Sequence, residues 1–231
     1  MSIYGTYSYF MGTMRNNSPR YHNVSFMIHR LSTQTATGVA ALIVSSLTIG
    51  CSAQSSDVEP VRPGIEVLVT DSAHLVADRR VGILTNQTGV NSQGRGDIEV
   101  LLDSGVDLTA IFSPEHGFRG QLDVAGIDHT TDSATGLPIF SLYGERLAPS
   151  PEMFALIDVL LVDLQDIGAR TYTYISAALH VMEASVDAGV PIVILDRPNP
   201  IGGELVQGPI LDLEFSTYVG MLPVPLRHGL T

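Results

Sequence analysis

Four short, predominantly apolar runs of residues constrain this chain more than any other feature: Val81–Thr85, Leu108–Phe112, Ile157–Val162 and Val190–Leu195. A half-exposed strand alternates apolar and polar residues, whereas a strand covered on both faces does not. Between the runs the spacing changes to that of helices. Asp97–Ser104 places Ile98, Leu101 and Leu102 together, and Tyr174–Ala188 does the same with Ala178, Val181, Met182 and Ser185. Asp97 is expected to N-cap the first of these helices, and Gly105 and Gly189 are expected to stop them. Leu137–Leu142 reads as a third or an edge strand, and Met153, Phe154 and Leu156 suggest a short helix. Strand and helix in this rhythm predict an α/β domain, a Rossmann-like open parallel sheet with helices on both faces.

In such a sheet the carboxyl ends of the strands share one edge, and ligands bind there. Each apolar run ends in a polar cluster. The first leads to Asn86, Gln87 and Thr88, and the second to Ser113-Pro-Glu-His-Gly-Phe-Arg-Gly120. The next leads to Asp163–Arg170, followed by Tyr172 and Tyr174, and the last to Asp196–Gly203. The second cluster puts Glu115, His116 and Arg119 within five residues. Pro114 ends the strand and Gly117 and Gly120 allow the backbone to bend around them. Four clusters on one edge predict a functional cleft. Plainer roles are open to several members. Asp166 and Asp196 are suited to capping helices, Asp163 to a structural role and Arg170 to pairing with a neighbouring acid. Tyr172 and Tyr174 suit packing or stacking on a sugar ring, and His180 reads as a core histidine.

Composition narrows the chemistry. The 231 residues carry a formal charge of −12, and all twelve basic residues are arginine. A surface of that sign should repel nucleic acid and anionic membranes. No glycine-rich dinucleotide fingerprint follows the first strand, and without lysine there is no Walker loop. A Gly-x-Ser-x-Gly nucleophile elbow is also missing. The one cysteine, Cys51, cannot form an internal disulfide, and no Cys/His spacing suggests zinc, so neither cofactor nor metal is expected.

Residues 1–26 carry no assignable pattern. Residues 27–53 have the order of an export signal: Arg30, an apolar core from Gly38 to Ile49, then small residues around Cys51. Leu47-Thr48-Ile49-Gly50-Cys51 resembles a bacterial lipoprotein signal, in which the cysteine would be lipidated. Thr48 departs from that pattern, and cleavage after Ala53 is the alternative. Residues 54–63 read as a linker, and 64–231 as the α/β domain.

Three blocks carry a family resemblance: Phe112–Gly120, Asp163–Arg170 with Thr171–Tyr174, and Asp196–Gly203. Gly208-Pro209 and Leu226–Thr231 add to them. They resemble the signature blocks of the bacterial exo-β-N-acetylmuramidases, once known as a domain of unknown function. The resemblance spans about residues 64–231. It implies an exported glycosidase that removes N-acetylmuramic acid from the non-reducing ends of peptidoglycan fragments. Gln121–Ile127 departs from the family pattern, and the chain stops at Thr231, where the family continues into a second, smaller domain. A truncated family domain is therefore the expectation.

Glycosidic cleavage needs a proton donor and a group that stabilises or traps the oxocarbenium-like centre. Glu115 is the expected donor, with Phe112 and Phe118 as expected neighbours. Asp166, Asp196 or the substrate's own acetamido oxygen is the second group. Arg119, Arg170 and Arg197 are candidates for the lactyl carboxylate. Asn86 and Asn199 suit sugar hydroxyls, and His116, Tyr172 and His228 complete the implied substrate-binding set. Partners would be muramyl fragments, with membrane attachment through a lipidated Cys51 and a periplasmic or extracellular location.

Overall fold

The computed structural model describes residues 60–120 and 129–231. The export-signal reading, Cys51, most of the linker and the departure at 121–127 lie outside the described residues. Helix α1 (Gly64–Asp71) precedes strand β1 (Val81–Thr85), helix α2 (Asp97–Asp103) and strand β2 (Leu108–Ser113). Strands β3 (Thr130–Thr131) and β4 (Pro138–Ser141) follow, then α3 (Pro151–Phe154), β5 (Val159–Asp163), α4 (Thr173–Ala188) and β6 (Ile192–Ile194). A hairpin-like pair, β7 (Gln207–Ile210) and β8 (Pro225–Arg227), completes the order.

The main sheet runs β3-β4-β2-β1-β5-β6, parallel throughout except for β3. The chain therefore builds outward from β1 through β2 to β4, then returns to the other side of β1 with β5 and β6. Strand order reverses between β1 and β5, and that reversal opens a crevice at their carboxyl ends.

Alternation along each strand divides the core into two layers. Val81, Ile83, Leu108, Ile111, Val159 and Leu161 face α1 and α2, where Ile65, Leu68, Val100 and Leu101 cover them. Leu84, Ala110, Phe112, Leu160 and Val162 face the other way, against Met153 and Phe154 of α3 and Val181 of α4. Every residue of β1 and β5 is buried, which is why these strands read as predominantly apolar runs.

The structure corrects the sequence expectations at several elements. Asp97 is not the N-cap of α2. Gly96 holds that position, and Asp97 is the first helical residue with its side chain turned into the interior. Gly105 does stop the helix, at φ 76°. The run Val190–Leu195 contributes only the three-residue edge strand β6, with Ile194 half exposed. Leu137–Leu142 yields the internal strand β4, since β3 lies outside it. Helix α1 has no counterpart among the expected elements, because its buried stripe is only Ile65 and Leu68. Gly64 opens it with an N–H donated to the carbonyl of Asp196 at 2.9 Å. A Cβ at Gly64 would lie 2.4 Å from the Asp196 nitrogen, so the close approach requires glycine.

Candidate active site

Side-chain hydrogen bonds stitch together three strand ends at the crevice. Asn86 accepts from the Thr88 backbone N–H at 2.9 Å and its hydroxyl at 2.6 Å. That hydroxyl accepts from the Gln165 N–H at 3.2 Å, and the Gln165 amide donates to the carbonyls of Asp166 and Pro198. Asn86 is buried, and its Nδ2 has no hydrogen-bond partner among the described residues.

Beneath this seam lies a buried cluster of two carboxylates and one guanidinium. Asp163 ends β5 and accepts from Arg197 through both oxygens, one of them at 2.9 Å from Nη2. Arg197 also donates to the Val90 carbonyl at 3.0 Å and sits 3.7 Å from Asp97. Asp97 accepts from the Thr85 hydroxyl at 2.8 Å. Burial, with the charge of Asp163 next, pushes the Asp97 carboxyl up to about 7. Burial likewise raises Asp163, against the opposing pull of Arg197.

On the neighbouring loop the backbone turns sharply. His116 lies at φ 69°, a left-handed conformation uncommon for a residue with a side chain, and Gly117 and Gly120 follow at 74° and 64°. Glu115 just precedes this turn, half buried. Its Oε2 accepts from the hydroxyl of Thr173, the first residue of α4, at 2.6 Å. The Tyr143 phenol is in hydrogen-bonding reach of the same carboxylate, which pushes the phenol's pKa up. The expected phenyl surroundings are not what Glu115 meets. Phe112 stacks on Phe140 within one core layer, and Phe118 packs against the other.

Asp166 stands on the loop after β5. Its Oδ1 accepts from the Gly168 N–H at 2.6 Å and lies 3.0 Å from Nε2 of buried His228. The His228 Nδ1 accepts from the Leu230 N–H at 3.1 Å, which puts the ring proton of the neutral imidazole on Nε2. That proton is close to Asp166 but not aligned for a hydrogen bond. Tyr172 connects the two carboxylates electrostatically. Its pKa is pushed up to about 12 by burial, then by neighbouring Tyr174, Asp166 and Glu115. The rings of Tyr172 and Tyr174 are 4.6 Å apart.

The remaining candidates divide by what already holds them. Arg170 donates to the carbonyls of Pro209 and Val224 and so anchors the β7–β8 segment. Arg197 is committed to the buried cluster, which contradicts its expected place as a carboxylate ligand. Arg119 is exposed, 3.2 Å from Asp132. Asn199 accepts from Ile201 N–H and donates to the Leu230 carbonyl, so it fastens its own turn. Asp196 is exposed beside β6. His180 is half buried and stacks on Tyr218 rather than filling the core. No motif or spacing in the sequence marks Thr173, Tyr143 or Tyr218 as a site residue. For Tyr143 position is the one usable signal: it follows the Leu137–Leu142 run much as Glu115 follows Leu108–Phe112. Among the described residues no cluster of three or more His, Cys, Asp or Glu side chains is arranged to hold a metal ion.

A family model described as the N-terminal part of the exo-β-N-acetylmuramidase NamZ matches residues 81–231. The peptidoglycan β-N-acetylmuramidase NamZ of Bacillus subtilis (strain 168) is 41% identical over 180 residues, covering 77% of this chain and 44% of that protein. Two crystal structures of DUF1343 family proteins from Bacteroides fragilis NCTC 9343 superpose with TM-scores of 0.68 and 0.63, at 40% and 39% identity. The matches cover 73% and 74% of this chain but 43% and 44% of theirs. The chain thus spans less than half the length of the relatives it matches.

Proposed function

This chain belongs to the exo-β-N-acetylmuramidase NamZ family, and on that premise we propose that it supplies the catalytic cleft of an exo-acting glycoside hydrolase. The bond cleaved is that of N-acetylmuramic acid at the non-reducing end of peptidoglycan fragments, with Glu115 as general acid. The observation that supports this reading is the setting of Glu115. It stands at the carboxyl end of β2, half open to solvent, with hydroxyl groups of Thr173 and Tyr143 against its carboxylate. Hydroxyls both donate and accept, so they accommodate a carboxyl group before and after it gives up a proton. Asp166 is the better placed of the two aspartates for the oxocarbenium-like centre, because Tyr172 lies within the electrostatic reach of both Asp166 and Glu115. Arg119 is the exposed guanidinium available for the lactyl carboxylate.

The test is Glu115→Gln in a protein of the family's full length, assayed on a natural muramyl disaccharide. Turnover should fall by ~10²–10⁴-fold with folding and binding nearly unchanged. Undiminished turnover would remove Glu115 from the chemistry. A wild-type protein that binds the sugar and releases none would instead be an envelope lectin. Export with Cys51 as a lipid anchor belongs to the same reading, supported by the Arg30, apolar-core and Cys51 order. Cys51→Ala should shift the protein out of the membrane fraction of a bacterial host, and an unchanged distribution would refute anchoring.

A further inference from the structure

We infer that Tyr143 is a positioning residue for Glu115, a phenol that holds the carboxyl group in line for proton transfer and is itself braced by the ring of Tyr218. The inference rests on the reading of Glu115 as proton donor and goes beyond it, since it assigns the aromatic wall behind that residue.

Strand register delivers the first phenol. Strands β2 and β4 are parallel neighbours with Ser113 opposite Ser141, and the Leu142 N–H extends the ladder by donating to the Ser113 carbonyl at 2.9 Å. Two residues beyond the matched serines, the strands release Glu115 and Tyr143 side by side. Thr173 approaches from the start of α4, so hydroxyls from two different elements converge on one carboxylate. A glutamate side chain has several rotatable bonds, and fixing it from two sides removes the misaligned rotamers that would slow transfer.

Tyr218 braces the first phenol. It sits in the turn closed by the Thr217 N–H donating to the Gly220 carbonyl at 3.1 Å, a turn far from β4 in sequence. Its ring centroid lies 6.1 Å from Tyr143 and 6.2 Å from His180, nearly coplanar in orientation with the imidazole at 11°. Its hydroxyl is buried without a hydrogen-bond partner among the described residues. Burial, then the charge of Glu115, pushes the Tyr218 phenol up to about 12, and the nearby Glu115 carboxylate raises that of Tyr143. Both phenols therefore keep their protons at neutral pH and can donate.

Neither tyrosine is needed to bind sugar under this assignment, so its kinetic signature differs from that of a stacking platform. In the family-length protein, Tyr143→Phe should lower kcat by ~10-fold with KM within about twofold, since a purely transition-state contribution is lost. Its unfolding midpoint should stay in place. Tyr218→Phe, which keeps the bracing ring and removes only an unpartnered hydroxyl, should leave kcat unchanged, whereas Tyr218→Ala should act in the same direction as Tyr143→Phe more weakly. In a Glu115→Gln background, Tyr143→Phe should cost nothing further, because residues acting through one group are not additive. Multiplied losses in the double variant, with Glu115→Gln itself impaired, would overturn the inference and leave the general-acid reading standing. A rise in KM alone would make Tyr143 a substrate contact and overturn it too. If Glu115→Gln alone retains full turnover, the general-acid reading fails and this inference with it.

Discussion

Two polar regions occupy the same edge of the same sheet, and they differ in what their charges face. In the switch-point cluster, Asp97, Asp163 and Arg197 are all buried and bind one another, Thr85 and a backbone carbonyl. In the region around Glu115, a half-buried carboxylate accepts from the Thr173 hydroxyl and has the Tyr143 phenol within reach. A charge buried among opposite charges is spoken for, because moving it costs more than a substrate contact returns. A carboxylate whose partners are hydroxyls keeps its capacity to exchange a proton. Position at a strand end therefore selects candidates, and pairing sorts them into scaffold and chemistry.

The strongest way to break this division is Arg197→Met. It leaves Asp97 and Asp163 buried together without their cation, and losing one partner from a buried charged set costs ~3–5 kcal/mol. Chemical denaturation should show that loss, or the variant should fail to accumulate as folded protein. A stable Arg197→Met that merely binds sugar more weakly would move Arg197 into the second region. Glu115→Gln, by contrast, should lose turnover on a similar energy scale and almost no stability.

The next test uses pH. Asp97 is held near 7 in the folded protein against an ordinary value of 3.8. A carboxyl raised on folding binds more protons folded than unfolded, so its contribution to stability is full below the ordinary value. That contribution is lost as pH rises through about 7. Asp163 is shifted in the same direction and adds with the same sign. The gap for Asp97 sets an upper bound of ~4 kcal/mol, at about 1.36 kcal/mol per unit. Urea midpoints should therefore fall between about pH 5 and pH 8, and Asp97→Asn should flatten that decline. A midpoint that rises over the same interval would mean Asp97 is ionised and paired with Arg197 throughout.

The sheet was readable from sequence because burial on both faces removes polar residues from β1 and β5 up to their last positions, Thr85 and Asp163. The location of the site was readable for a related reason, since an open parallel sheet has one ligand edge. The sorting of that edge was not. Arg197 follows an apolar run just as Arg119 does, and only the three-dimensional approach of Asp163 and Asp97 distinguishes them. Tyr218 is separated from Glu115 by about a hundred residues, and no local spacing joins them. Asp97 looked like a cap because Asp before an apolar stripe usually is one. Here Gly89 lets the loop pass so close that a Cβ would lie 2.0 Å from Asp97 Oδ2, and the carboxylate turns inward.

The smallest expected effect falls on Arg119, and it sharpens the boundary between the regions. Of the three arginines expected to meet a carboxylate, Arg170 is spent on backbone carbonyls and Arg197 on buried aspartates. Arg119 alone among them has a mostly exposed side chain, 67%, with its Nη2 3.2 Å from Asp132. Asp132 is buried, but the Thr135 N–H and hydroxyl also donate to it, at 3.1 and 2.8 Å. A pair whose cation stays in water contributes little to stability, so Arg119→Ala should leave the unfolding midpoint nearly where it is. Its guanidinium is free to exchange Asp132 for the lactyl carboxylate of muramic acid. That exchange trades one carboxylate for another, and the net gain should be modest, ~10-fold in affinity or about 1.4 kcal/mol. N-acetylglucosamine lacks the lactyl group, so the ratio of KM values for the two sugars is the quantity to measure. Arg119→Ala should shrink that ratio by raising the muramic value while the glucosamine value holds. Equal changes for both sugars would place Arg119 with the scaffold.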